Sequence, residues 1–98
     1  MSATPDFTVT EDADLGRFVL ERDGEMVGYA SFREQGTAVV VPHVETLQQH
    51  RGQGYAERLM DGIVERLRAT GRTVVPLCPF AAAYMRDHPE HGDLLQQR

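Results

Sequence analysis

Through the first half of the chain, apolar and polar positions alternate with a period of two, which predicts strands. Phe7-Thr8-Val9-Thr10 is the first short run, and residues 11–14 read as a polar turn. Residues 16–22 form the second run, with Phe18 and Leu20 on one face. Asp23-Gly24 then marks a hairpin, because a type I′ turn needs positive φ. Residues 25–34 form the partner strand. Met26, Gly28, Ala30 and Phe32 share one face, and Val27, Tyr29, Ser31 and Arg33 share the other. Gln35-Gly36 makes the next turn. Residues 37–45 form a valine-rich strand through Ala38-Val39-Val40-Val41, where Pro42 predicts a bulge or a stop in pairing. The whole reads as an antiparallel meander.

From residue 56 the period lengthens to that of a helix. Ala56, Leu59, Met60, Ile63, Val64 and Leu67 stand at i, i+3, i+4, i+7, i+8 and i+11, a single apolar stripe that predicts a core-facing helix. Gly71 is its stop signal. Residues 72–77 follow as a strand centred on Thr73-Val74-Val75, which after such a helix can run parallel to the strand before it. Cys78-Pro79 breaks that strand. Residues 80–87 form a short Ala-rich helix, His88-Pro89 ends it, and residues 89–95 add a further helical turn. The order gives an α+β sheet with helices on its faces, in one domain, with residues 1–6 frayed.

Composition narrows the class. The chain has 98 residues, 41% of them hydrophobic, enough for one modest core. No apolar run reaches the roughly 18 residues that a membrane span needs, and the polar, acidic start has no signal-peptide core. The net charge is −5 and all ten basic residues are arginine. That balance argues against nonspecific nucleic-acid binding, and it hints at a basic acceptor such as a polyamine or a lysine-rich peptide. The lone cysteine, Cys78, excludes an internal disulfide and fits a reducing cytoplasm.

Candidate chemistry gathers at three places. Arg51-Gly52-Gln53-Gly54-Tyr55-Ala56 opens the long helix. A glycine turn there leaves N–H groups unpaired at the positive end of the helix dipole, an arrangement suited to a phosphate, and Arg51 can add a charged contact. An ordinary strand-to-helix loop would use the same glycines. His43 and Glu45 are two apart on a strand and so face the same side, as a base and its neighbour would. They read equally as a half-exposed strand histidine and a solvated carboxylate. Cys78 precedes a helix, which can activate a thiol, although a lone cysteine is often a small buried hydrophobe. His50, His88 and His91 have weaker claims, and His88, Glu90 and His91 are too few for a metal site.

The run Arg51–Ala56 resembles the acyl-CoA signature R/Q-x-x-G-x-G/A of the GNAT acetyltransferase superfamily through Arg51, Gly54 and Ala56. His43-Val44-Glu45-Thr46, Leu59, Val75-Pro76-Leu77-Cys78-Pro79-Phe80, Tyr84 and His88-Pro89-Glu90 extend the likeness to its small single-domain YjdJ-type (GTLP-like) branch. The resemblance implies a mixed, mostly antiparallel sheet splayed at its middle, with flanking helices but without the N-terminal helices of larger members. It implies acetyl-CoA as cosubstrate in the split, with no metal. Backbone N–H groups of Arg51, Gly52, Gln53, Gly54, Tyr55 and Ala56 would hold the pyrophosphate, and the pantetheine arm would run along Glu45, Thr46 and Leu47. Cys78 would form an acyl-cysteine or line the CoA site. His43 and Glu45 would be bases, and Tyr84 a general acid, six residues after Cys78 where the superfamily pattern has about seven. The implied activity is acetyl transfer to an unidentified amine. A non-catalytic CoA-binding or protein-interaction module on the same fold, and a plain α+β partner-binding domain, are the alternatives.

Overall fold

The structure is a computed structural model and describes residues 6–96. Five strands, β1 (Phe7–Asp12), β2 (Arg17–Arg22), β3 (Glu25–Gln35), β4 (Ala38–Thr46) and β5 (Thr73–Pro76), form one sheet in chain order. The first four are antiparallel, and β5 lies parallel to β4 from the Ala38–Thr73 pair to the Val41–Pro76 pair. Helix α1 (Tyr55–Thr70) makes the crossover between them, and α2 (Pro79–Asp87) follows β5. Two 3-10 turns, Gln48–His50 and Pro89–Leu94, complete the order. The β2–β3 hairpin turns on Asp23 (φ 50°) and Gly24 (φ 86°), both positive as a type I′ turn requires. Asp6 is held rather than frayed: its N–H donates to Asp23 Oδ1 and its C=O accepts from Asp23 N–H. Residues 1–5 lie outside the described residues.

Two irregularities reshape the meander. The register of β2 on β3 shifts between Leu20 and Glu21, which pair with Gly28 and Met26, so Val27 is an extra residue. That bulge corrects the alternation expected for β3. Val27 is fully buried in the core with Ala30 and Phe32 instead of facing away with Tyr29. The second shift lies between Ser31 and Arg33, which pair with His43 and Val40. Val41 and Pro42 thus stand opposite Phe32 alone, the bulge expected of a proline that has no N–H to donate. Strand β1 also runs two residues further than expected, to Asp12.

The core lies on one face. Leu59, Met60, Ile63, Val64 and Leu67 of α1 are at most 2% exposed. They pack with Phe18, Leu20, Ala30, Phe32, Val39, Val41 and Val74 of the sheet. Ala81, Tyr84 and Met85 of α2 and Leu94 of the last turn join the same cluster. Burying each large side chain there contributes about 1.5–3 kcal/mol. Tyr55, 5% exposed, begins the stripe, while Ala56 is half-buried. At Gly62 the helix comes so close to β1 that an added Cβ would stand 2.2 Å from Val9 Cγ2. Arg66 donates to the Val9 carbonyl at 3.1 Å. Arg72 grips Glu11 with two bonds of 2.7 and 3.0 Å. No helix among the described residues buries its apolar side against the opposite face of the sheet.

Candidate active site

The site is built where β4 and β5 part. Leu77 N–H and Cys78 N–H both donate to the Val41 carbonyl, each at 3.0 Å, and this closes the pairing of the two strands. Beyond Pro42, β4 continues to Thr46 with β3 as its only strand partner among the described residues. A gap therefore opens between the second half of β4 and the start of α2. At its far end the chain passes through the Gln48–His50 turn into the glycine run. Gly52 (φ 82°) and Gly54 (φ 75°) hold the left-handed conformation that this run needs. Nothing lies within 4 Å of where a Cβ would stand at either glycine, so the turn is open to an incoming group.

The first turn of α1 has no side-chain cap, and its first backbone bond runs from Arg58 N–H to the Gly54 carbonyl at 3.2 Å. The N–H groups from Gly52 to Glu57 are thus left to an outside acceptor, as a helix start dictates, whereas the Arg51 N–H expected among them donates to the Gln48 carbonyl at 3.4 Å. Gln53 accepts from the Tyr55 hydroxyl at 3.1 Å, and the Tyr55 ring packs on Phe7 with centroids 5.4 Å apart. The Tyr55 side chain is thus held between Phe7 and the Gln53 amide. Arg51 folds back over the end of β4. Its Nε donates to the Thr46 carbonyl at 3.2 Å and its Nη2 stands 3.9 Å from Glu45 Oε2. Leu47 N–H is taken by the Val27 carbonyl at 2.9 Å.

His43 and Glu45 meet as their spacing requires, with Nε2 2.9 Å from Oε1. A carboxylate at Nε2 places the proton there and leaves Nδ1 with the lone pair. Both side chains lie on the open face, His43 at 53% exposure and Glu45 at 36%. Tyr29 is paired in register with Glu45, and its ring centroid is 6.1 Å from that of His43.

Cys78 and Tyr84 lie on the other side. Cys78 is the N-cap of α2 and is 7% exposed within the core cluster, with Pro79 beginning the helix. The Tyr84 hydroxyl donates to Asp61 Oδ1 at 2.5 Å. Burial first, then that bond and the nearby carboxylates, raise its pKa well above the ordinary tyrosine value. His88 donates from Nδ1 to the Tyr84 carbonyl at 2.8 Å and stacks on the Tyr84 ring at 4.0 Å. Its Nε2 is 3.7 Å from Glu57 Oε1. That backbone bond, with Glu90, Glu57 and Asp61 nearby, raises the His88 pKa. The structure thus joins His43, Glu45, Thr46 and Arg51, and sets Cys78 and Tyr84 apart from them. Asp61 and Glu57 escaped the sequence reading because their partners are 23 or more residues away. Tyr29 could have been found from its place on the same strand face as Ser31 and Arg33.

A family model described as GCN5-related N-acetyl-transferase matches residues 17–94. The chain belongs to the GCN5-related N-acetyltransferase family. Solved structures carry the same fold. A GCN5-like protein from Staphylococcus aureus, determined by NMR, aligns with TM-score 0.69 at 15% identity over 93% of this chain and 89% of that one. N-acetylglutamate synthase from Neisseria gonorrhoeae, complexed with coenzyme A and N-acetyl-glutamate, aligns at 0.57 and 21% identity. It covers 74% of this chain, which spans only 18% of the synthase. Ribosomal-protein-alanine N-acetyltransferase from Brucella melitensis aligns at 0.55 and 19% identity over 84% of this chain and 64% of that one. No curated protein matches the chain. No helix among the described residues is long and apolar enough to cross a membrane.

Proposed function

We propose that the chain binds acetyl-CoA and transfers its acetyl group to a primary amine. One observation carries the reading. In a GCN5-related fold, an open glycine turn at the start of α1 and a His43–Glu45 pair flank the same gap between β4 and β5. The free N–H groups from Gly52 to Glu57 hold the pyrophosphate. Arg51 releases the Thr46 carbonyl and turns to a phosphate oxygen, so that Thr46 and Leu47 border the pantetheine arm.

The amine attacks the thioester carbonyl. A C–N bond forms, the C–S bond breaks, His43 Nδ1 takes the amine proton and the thiolate leaves with a proton of its own. Glu45 fixes the histidine tautomer and stabilises the cation that forms. Tyr84 supplies the thiolate proton after leaving Asp61. Its raised pKa keeps the hydroxyl protonated while it rests on Asp61, and release from that carboxylate removes one cause of the rise. Attack is direct, and Cys78, buried beside Val41, lines the pocket. The ordered motifs around His43, Arg51 and Cys78 support placement in the single-domain YjdJ-type branch, and the single cysteine supports a reducing cytoplasm.

Calorimetric titration of CoA, with intact-protein mass after incubation with acetyl-CoA, tests the reading. Binding that weakens tenfold or more in Arg51→Ala supports it, and equal affinity of variant and wild type overturns the pyrophosphate assignment. A single acetyl adduct lost in Cys78→Ala would replace direct attack by an acyl-cysteine route. Binding without transfer to any amine would leave a CoA-binding module.

A further inference from the structure

The open face of the sheet carries more than the histidine and its carboxylate. Strand register sets the side chains in rows. Arg17, Ser31 and His43 are aligned across β2, β3 and β4, and Val19, Tyr29 and Glu45 form the row beside them. Arg33 follows Ser31 two residues along β3 and pairs in register with Val40. Neither Arg17 nor Arg33 has an ion-pair partner among the described residues. Arg17 Nε is buried with no hydrogen-bond partner, and its guanidinium lies 5.4 Å from the Tyr29 ring centroid. Asp12, opposite Arg17 in the register, is turned away to cap Leu15 N–H at 3.1 Å. Arg33 borders a hollow of about 330 Å³ floored by Val40 and Val75, with Leu77, 50% exposed, at its side.

Strands lie about 4.8 Å apart, so Arg17 and His43 are separated by roughly 10 Å at the backbone, a span that one arginine side chain largely covers. An acceptor whose amine meets His43 therefore has two unpaired guanidinium groups within reach. Guanidinium binds carboxylate in a two-bonded fork. A polyamine or a lysine-rich peptide would instead bring further positive charge beside them. The net charge of −5 is a property of the whole surface, whereas here Arg17 and Arg33 stand opposite two carboxylates already engaged, Glu45 with His43 and Asp12 with Leu15 N–H.

We propose that the acceptor is a small primary amine that bears a carboxylate, of the amino-acid class. Its carboxylate is held by Arg17 and Arg33, its apolar part lies over the hollow beside Arg33, and Tyr29, which stands between Arg17 and His43, forms the wall against which it rests. The acceptor assignment rests on the transfer reading above, and the test separates the two. Backbone amide shifts of the full chain are followed while L-leucine, L-leucinamide and spermidine are added, each with and without CoA. L-leucine shifts Arg17, Tyr29, Ser31 and Arg33 and binds at least tenfold more tightly than L-leucinamide, whether or not turnover is seen. In the doubly substituted Arg17→Gln, Arg33→Gln chain that preference disappears, while CoA affinity and the far-ultraviolet spectrum are unchanged. Equal shifts from L-leucinamide or spermidine, no shifts from L-leucine, or an undiminished preference in the double variant would overturn the proposal. Leucine-selective shifts in a chain that fails to bind CoA would instead overturn the transfer reading alone.

Discussion

On one face of the sheet, Phe18, Leu20, Ala30, Val39 and Val41 are at most 1% exposed beneath the helices. On the other, His43 and Arg33 stand in solvent, and Tyr29 and Glu45 are half covered. The same strands build both faces, and often the two roles alternate residue by residue. Val44 packs against the core, while His43 and Glu45 on either side of it meet above the open face. The covered face is close-packed and supplies stability. The open face holds polar groups whose partners are few, and such groups are free to engage a substrate. Substitutions should therefore separate cleanly into those that unfold the chain and those that silence it.

Transfer chemistry gives the widest expected separation. His43→Ala should lower the rate of acetyl transfer by about 10²–10⁴-fold and leave the unfolding free energy within about 0.5 kcal/mol of wild type. Steady-state kinetics beside urea unfolding reads both. A loss of stability matching the loss of rate would break the contrast between the faces. Leu59→Ala should do the reverse, costing about 2–5 kcal/mol in unfolding free energy because the helix cannot collapse onto the space left. CoA affinity measured well below its melting temperature should be retained.

Gly62→Ala is the sharper test of close packing. Alanine favours a helix by up to about 1 kcal/mol over glycine, yet the added Cβ would strike Val9. Overpacking of this kind costs about 1–3 kcal/mol, so the net effect should be destabilising. Adding Val9→Ala should recover part of the loss in thermal unfolding.

The Glu11–Arg72 pair should make stability depend on acid. The Arg72 bond lowers the Glu11 pKa below its ordinary 4.5. The stabilisation is therefore complete above the unfolded pKa and is lost as pH falls through the folded one. Urea midpoints between pH 7 and pH 3 should fall more steeply for wild type than for Glu11→Gln. His88 has the opposite sign and the smallest effect. Its raised pKa means a contribution that is full below the ordinary histidine pKa and lost as pH rises through the folded value. His88→Asn should remove a slight fall in melting temperature between pH 6 and pH 8.

Much of this arrangement could be read from sequence, because local rules decide it. The α1 stripe, the Asp23-Gly24 turn and the parallel β5 follow from periodicity and turn chemistry. The meeting of His43 and Glu45 follows from their spacing of two. What stayed hidden depends on register. Val27 entered the core because a bulge inserted one residue, and alternation has no means of announcing that. Tyr84 found Asp61 across two helices, 23 residues away. Arg17 and His43 share a row only because β3 aligns both with Ser31. The residues of the glycine turn were plain in sequence, whereas the folding of Arg51 back onto Thr46 was not.

The sheet order, identical to the chain order, bears on how the molecule forms. Every antiparallel pair is closed by a short local turn, so β1 to β4 can zip together with little loss of chain entropy at each step. The one long closure brings β5 back beside β4 across α1. Folding should therefore show a single kinetic barrier set by that crossover, at the intermediate speeds of mixed α/β domains. Substitutions in α1 and β5 should slow folding, whereas those in β1 should mainly hasten unfolding.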